Sequence, residues 1–216
     1  MAIPTPLTAE ENGSINDEIL AFSPNGKQLV FSRAPWDPLS GDTAPPVLLA
    51  IRLSGGDPVP LAQSGIPGAS LVPSDAQQMQ WSPDSRWVAF VENQSLEVVP
   101  TTGGSAPRVL ASCLDPNAPY TFFGGFSWSP TSKSIAYDCV DGEYGGGQIF
   151  TVRPDGTHRT NLLKGRIWAF IGGYKGERVP QWSPDGSRLL VLASQDGATS
   201  YVFTVRPNGH GLTPLG

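Results

Sequence analysis

Hydrophobic positions along this chain come in short runs separated by clusters of Pro, Gly, Ser and Asp, and no segment sustains the i, i+3, i+4 stripe of a helix. The clearest runs are Gln28-Leu29-Val30-Phe31, Trp87-Val88-Ala89-Phe90-Val91, Ser134-Ile135-Ala136-Tyr137 and Arg188-Leu189-Leu190-Val191-Leu192. They are nearly continuous rather than alternating, which predicts strands covered on both faces. Nearly the same phrase precedes each: Phe22-Ser23-Pro24-Asn25-Gly26, Trp81-Ser82-Pro83-Asp84-Ser85, Trp128-Ser129-Pro130-Thr131-Ser132 and Trp182-Ser183-Pro184-Asp185-Gly186. Proline presets φ at the second turn position, Asp or Asn suits the next, and Gly takes the left-handed position that follows. Each phrase therefore predicts a three-residue hairpin loop closed by a glycine bulge. Ser85 and Ser132 stand where that glycine is expected. A side chain held left-handed costs about 1 kcal/mol, so those two turns are predicted to be strained or differently shaped.

The serines recur at intervals of 59, 47 and 54 residues. A third strand follows each hairpin: Val47 to Arg52 before Gly55-Gly56, Leu96 to Val99 before Gly103-Gly104, and the near-identical Gln148-Ile149-Phe150-Thr151-Val152-Arg153-Pro154-Asp155-Gly156 and Tyr201-Val202-Phe203-Thr204-Val205-Arg206-Pro207-Asn208-Gly209. Edge strands are expected near Val59 to Leu61, Arg108 to Leu110, Asn161 to Leu163 and Leu212 to Leu215. A self-similar unit of four meandering strands is the mark of a β-propeller blade. The expected class is all-β, a β-propeller of four-stranded antiparallel blades at about 19–62, 77–110, 124–163 and 178–215. Residues 1–18 read as an N-terminal edge strand and connecting loop, and 1–216 as one propeller domain.

Trp-Ser-Pro-Asp-Gly, an Ile-Ala-Phe-like strand, an Ile-Phe-x-Val-x-Pro-Asp-Gly strand and a terminal Leu-Thr resemble the TolB-like β-propeller repeat, the WD40-like PD40 repeat. Trp182 to Thr213 fits almost throughout, Trp128 to Leu162 well, and the first two copies more loosely. The resemblance implies a scaffold more than an activity. It also implies six blades, whereas four phrases are present, so the chain is either a ring closed by four blades or an incomplete, partial propeller. The second reading is favoured and carries an expectation of self-association through open blade faces. Members of this family mostly act outside the cytoplasm, which implies a periplasmic or extracellular location. The first residues of this chain, with neither a basic start nor an apolar segment, are not a secretory signal, and a cytoplasmic location stays open.

With 25 Gly, 22 Pro and 15% charged residues, the composition suits short strands and tight turns. Net charge is −5 and the 14 basic residues are scattered, which argues against a nucleic-acid partner. No apolar run approaches the ~18 residues of a membrane-spanning helix.

In an up-and-down meander the Ser-Pro and Gly-Gly or Asp-Gly turns fall at one end, and the long, individual connections at the other. Those connections are Arg33 to Pro46, Ala62 to Gln77, Ala111 to Gly124, Asp138 to Gly147 and Lys164 to Arg178. Variable loops on a rigid frame collect binding residues, and aromatics with cations are the usual interface anchors. Trp36, Tyr120, Phe122, Tyr144, Arg166, Trp168, Tyr174, Lys175 and Arg178 are the partner-binding candidates, with burial against a neighbouring blade the alternative for each aromatic. Cys113 and Cys139 fall at this same end, either as a disulfide or as two reduced thiols. Asp138, Asp141 and Glu143 are weak candidates for a hard cation and lack an Asp-x-Asp-x-Asp-Gly phrase.

Hydrolase chemistry is hard to assemble. His158 and His210 lie in turns at the opposite end, and no Gly-x-Ser-x-Gly elbow occurs. No catalytic residue and no cofactor is expected. The leading reading is a non-catalytic scaffold that binds a protein or peptide. A substrate-gating module of a prolyl-oligopeptidase-type peptidase, implied by the similar propeller in those enzymes, and a carbohydrate-binding or enzymatic propeller are the alternatives.

Overall fold

The computed structural model describes residues 14–36, 46–63, 79–113, 121–141, 146–163, 168–170, 179–194 and 200–215. Strands β1 (Ser14–Phe22), β2 (Gln28–Trp36), β3 (Val47–Arg52) and β4 (Val59–Gln63) pair in chain order as one antiparallel sheet. A second meander follows with β5 (Met79–Trp81), β6 (Trp87–Glu92), β7 (Ser95–Pro100) and β8 (Arg108–Ser112). The third is β9 (Thr121–Trp128), β10 (Ile135–Asp141), β11 (Gly146–Val152) and β12 (Thr160–Asn161). After β13 (Trp168–Phe170) the fourth comprises β14 (Gln181–Trp182), β15 (Leu189–Ser194), β16 (Ser200–Val205) and β17 (Thr213–Pro214). The chain is thus all-β, built of four four-stranded meanders, and none of the described sheets closes on itself.

Several boundaries differ from the sequence reading: β2 runs to Trp36, into the connection expected from Arg33, and β9 starts at Thr121, inside the connection expected over 111–124. β1 begins at Ser14, ahead of residue 19, and pairs Ser14 with Trp36. β10 runs through Asp141 and β11 starts at Gly146, so the connection expected over 138–147 shrinks to 142–145. The stretch 164–178, read as a loop, contains β13, which pairs with Gly146–Gly147 of β11 and with Ala193–Ser194 of β15 and so joins the third and fourth meanders into one sheet.

The four Ser-Pro hairpins share one geometry, set by the serine. The backbone N–H of Gly26, Ser85, Ser132 and Gly186 donates to the carbonyl of Ser23, Ser82, Ser129 and Ser183, at 2.8 to 2.9 Å. Ser23 then donates to the Gln28 carbonyl at 2.9 Å, and its three counterparts close their turns in the same way. The loop is therefore four residues long rather than three. What allows the extra residue is the side chain: each serine Oγ accepts from the N–H of Gln28, Trp87, Ser134 or Arg188 at 2.9 to 3.0 Å, where a tighter loop would offer a backbone carbonyl. In three copies that hydroxyl also donates to Asn25, Asp84 or Asp185 at 2.6 to 2.8 Å. The Ser183 hydroxyl and the donors of Ser187 hold the Asp185 carboxyl down at about 2.

Ser85 and Ser132 keep the shape and bear the strain, at φ 62° and 58° beside 67° and 69° for Gly26 and Gly186. Gly26 isolates the backbone contribution, since a Cβ there would meet nothing within 4 Å. Gly26→Ala is expected to destabilise by about 1 kcal/mol, read as a lower urea midpoint at unchanged slope. An unchanged midpoint would contradict the left-handed turn.

By packing, the chain falls into two compact units, 1–92 with 99–107 and 93–98 with 108–216. In the first, Val30, Leu48, Ala50 and Leu61 meet Met79, Trp81, Val88, Phe90 and Val99. In the second, Ala136, Ile149, Leu162 and Leu163 meet Leu189, Val191, Phe203 and Val205. Sheets covered in this way explain the continuous apolar runs: four consecutive residues of β3 are buried. The repeat tryptophan ties each pair together. Trp81 Nε1 donates to the Ala21 carbonyl at 3.3 Å in the first unit, and Trp182 Nε1 to the Ser127 carbonyl at 3.2 Å in the second. Ala21 and Ser127 occupy equivalent places, two residues before the turn serine. Leu190, Val202 and Leu215 of the last meander stay exposed.

Candidate functional site

The long-connection end of the third meander has the most unusual local chemistry among the described residues. It begins with a bulge. The β9–β10 ladder pairs Gly125 with Asp138 but Phe123 with Cys139, leaving Gly124 without an opposite residue. Here the two glycines are required by space. A Cβ on Gly124 would sit 2.8 Å from Asp138 Cγ, and one on Gly125 would sit 2.7 Å from Val179 Cγ2. The chain folds its backbone around a carboxyl group.

That carboxyl is buried, with Asp138 4% exposed and its Oδ1 without a hydrogen-bond partner. Burial pushes its pKa up to about 7, against the opposing pull of the backbone N–H groups of Asp138 itself and Gly125. Asp138 is thus a buried residue of β10 rather than part of the loop in which the sequence reading put it beside Asp141 and Glu143. Among the described residues no group of three His, Cys, Asp or Glu could hold a metal. Asp141 pairs with Thr121 and Gly146 in the sheet, and Glu143 lies outside the described residues. Gly124→Ala is expected to cost about 1–3 kcal/mol through overpacking. Most of that loss should disappear in an Asp138→Ala background, and a double-mutant cycle with no coupling would refute the contact.

Two further features pin this end. A disulfide joins Cys113, just after β8, to Cys139 on β10, with Cα atoms 5.4 Å apart. It lies against the same site, Cys113 Sγ being 3.9 Å from the Asp138 carbonyl oxygen. The turn residue Gln94 accepts the Phe123 N–H on Oε1 at 2.7 Å and the Cys113 N–H on its carbonyl at 3.0 Å. Sequence reasoning passed over Gln94. The signal was Asn93-Gln94 between two apolar runs, a two-residue hairpin loop whose residues both take positive φ, 49° and 60°.

Beneath the disulfide runs an aromatic ladder. Phe123 stacks on Tyr137 at 5.7 Å and Tyr137 on Phe150 at 5.3 Å. Arg159 closes it, its guanidinium 4.4 Å from the Phe150 ring and its Nε donating to the Tyr137 hydroxyl at 2.7 Å. Tyr137 is fully buried, and burial raises its pKa against the opposing effect of Arg159. Phe123 is thus a packing residue.

Of the partner-binding candidates, Trp36 is placed at the end of β2 opposite Ser14, Phe122 on β9 opposite Val140, and Trp168 on β13 opposite Ser194. Tyr120, Tyr144, Arg166, Tyr174, Lys175 and Arg178 lie outside the described residues. His158 and His210 are exposed turn residues, and the His158 ring contacts the Thr157 hydroxyl at 2.8 Å.

No protein-family model matches the chain, and no curated protein sequence does. Its structure is similar to solved ones. A protein of Agrobacterium tumefaciens assigned to TolB is 23% identical over 93% of this chain and 62% of its own, with a TM-score of 0.49. A eukaryotic initiation factor is 16% identical over 90% of this chain and 43% of its own, at 0.54. Dipeptidyl peptidase 4 of Porphyromonas gingivalis is 10% identical over 92% of this chain and 32% of its own, at 0.55. None of these likenesses reaches beyond the fold. The chain spans less than two thirds of each of these proteins.

Proposed function

We propose that this chain is a non-catalytic scaffold of the β-propeller type, that its four meanders are blades, and that it binds a protein or peptide at the long-connection end. The single observation that carries the reading is the reinforcement of that end in the third meander: disulfide, Gln94 bonds and bulge converge where the connections leave the sheet. Loops that present binding residues need such a frame, because a partner gains affinity from groups that are already ordered. The recurring tryptophan bond supports the blade reading, since it repeats one relation between consecutive first strands in both units. The disulfide favours an oxidising compartment, periplasmic or extracellular.

Trp36, Tyr120, Phe122, Tyr144, Arg166, Trp168, Tyr174, Lys175 and Arg178 are the proposed contacts. The test is affinity capture with the immobilised chain under oxidising conditions, followed by titration of the purified partner. Trp168→Ala and Tyr174→Ala are each expected to weaken binding at least tenfold, as interface anchors do, while Asp138→Asn leaves it unchanged. The reverse pattern, loss with Asp138 and none with the aromatics, would replace this reading with a carbohydrate or cation site.

A further inference from the structure

At the opposite end of the first sheet lies a cavity of about 810 Å³ that the scaffold reading does not use. Its size falls within the roughly 300–1,000 Å³ of small-molecule sites. Every residue lining it belongs to the first compact unit. One wall is the first Ser-Pro turn with Lys27 and Gln28, another is the β3–β4 turn from Arg52 to Asp57, and Thr101 and Thr102 close it from the second meander.

The charges in it are arranged unusually. Arg52 pairs with Gln28 in the β2–β3 ladder, and the Leu53 N–H donates to the Lys27 carbonyl at 2.9 Å. Lys27, in the turn before β2, and Arg52, the last residue of β3, thus border the cavity from two adjoining segments. Both are exposed, and neither has an ion-pair partner among the described residues. A chain of net charge −5 has carboxylates to spare for neutralising such a pair, yet the cavity holds only Asp57. Between the cations and Asp57 run Gly55 and Gly56, at φ 89° and 117°, where a Cβ would meet nothing within 4 Å. The peptide backbone of this turn is bare toward open space, the arrangement that lets a ligand approach it closely. Thr102 adds an exposed hydroxyl.

We propose that this cavity binds a small oxyanionic ligand, its phosphate or carboxylate group held by Lys27 and Arg52 beside the Gly55-Gly56 turn and an ammonium or hydroxyl on its body paired with Asp57. Charge-assisted bonds to two cations supply the attraction, and Asp57 selects against a bare anion by repulsion. The assignment is independent of the long-connection end.

The test is an amide-resolved NMR titration of the full chain at low salt with inorganic phosphate, O-phosphoethanolamine and β-alanine. Saturable shifts are expected at Gly26, Gly55, Gly56 and Thr102, with the zwitterions binding more tightly than phosphate. The better of O-phosphoethanolamine and β-alanine decides between phosphate and carboxylate. Lys27→Gln and Arg52→Gln should each weaken binding about tenfold, and 0.5 M salt should weaken it as well. Asp57→Asn should tighten inorganic phosphate and loosen the zwitterions. Unshifted amides elsewhere show that these exposed-site variants remain folded. No saturable shift with any probe, binding that survives the Lys27→Gln/Arg52→Gln pair, or an Asp57→Asn variant that moves both ligand types the same way would overturn the proposal.

Discussion

Asp138→Asn is expected to make the protein markedly more stable at pH 8 and to leave it nearly unchanged at pH 4. The carboxyl has a folded-state pKa of about 7 against an ordinary 3.8, so the folded chain keeps its proton where the unfolded chain has lost it. Between those values the unfolded state binds fewer protons, and linkage makes stability fall as pH rises. Below pH 4 both states are protonated and nothing is lost. Above pH 7 the full penalty of holding a buried anion remains. Three pKa units correspond to about 4 kcal/mol, an upper limit because a buried charge draws in water and relaxes its surroundings. Asparagine keeps the shape and stays neutral at every pH, so the quantity to measure is the difference between variant and native chain, which cancels all other titrating groups. Urea unfolding at pH 4, 6 and 8 with the disulfide intact supplies it. A difference independent of pH would mean that Asp138 is ionised in the folded protein and that its unpartnered oxygen has found a donor.

Asp138 also marks where the sequence ceased to be legible. The hairpins could be read because proline and glycine act through φ alone, and φ is a property of one residue. The serine's role could not, because an Oγ replaces a carbonyl only once the loop length is known. Asp is depleted from strands, so Asp-Cys-Val-Asp after an apolar run reads as the start of a loop. The strand continues because Cys139 is tied to Cys113 and because Gly124 steps out of the ladder to admit the carboxyl. Neither cause lies within a short window of sequence. β13 escaped for a simpler reason: three residues carry no period, and its partners are the glycines at the start of β11. Of the proposed contacts, Trp36, Phe122 and Trp168 read as members of long connections but lie in β2, β9 and β13, because the extent of a strand beyond its apolar run depends on partners that repeat no pattern. The cavity went unread as well, since Lys27, Arg52 and Asp57 lie in or beside turns whose stereotyped form argued against any function there.

Replacing both cysteines, as Cys113→Ser/Cys139→Ser, is expected to cost about 3.5 kcal/mol by the loop-closure relation for a 26-residue separation. The closed segment contains the bulge, the third Ser-Pro hairpin and Asp138, so the loss should extend beyond chain entropy. Cys113 Sγ sits 3.9 Å from the backbone carbonyl oxygen of Asp138, so the bridge holds the stretch of main chain that carries the buried carboxyl. Once the bridge is gone that main chain is less firmly held, water reaches the carboxyl more readily, the Asp138 pKa falls toward its ordinary value, and ionisation at pH 8 becomes less costly. Asp138→Asn should therefore gain less at pH 8 in the cysteine-free background than in the native one, and the two substitutions should be non-additive at pH 8 yet additive at pH 4. Equilibrium unfolding of the four proteins at both pH values measures this directly. An unfolding midpoint unaffected by removal of the bridge would refute the stabilising role of the disulfide, and additivity at pH 8 would show that the burial of the carboxyl does not depend on the bridge.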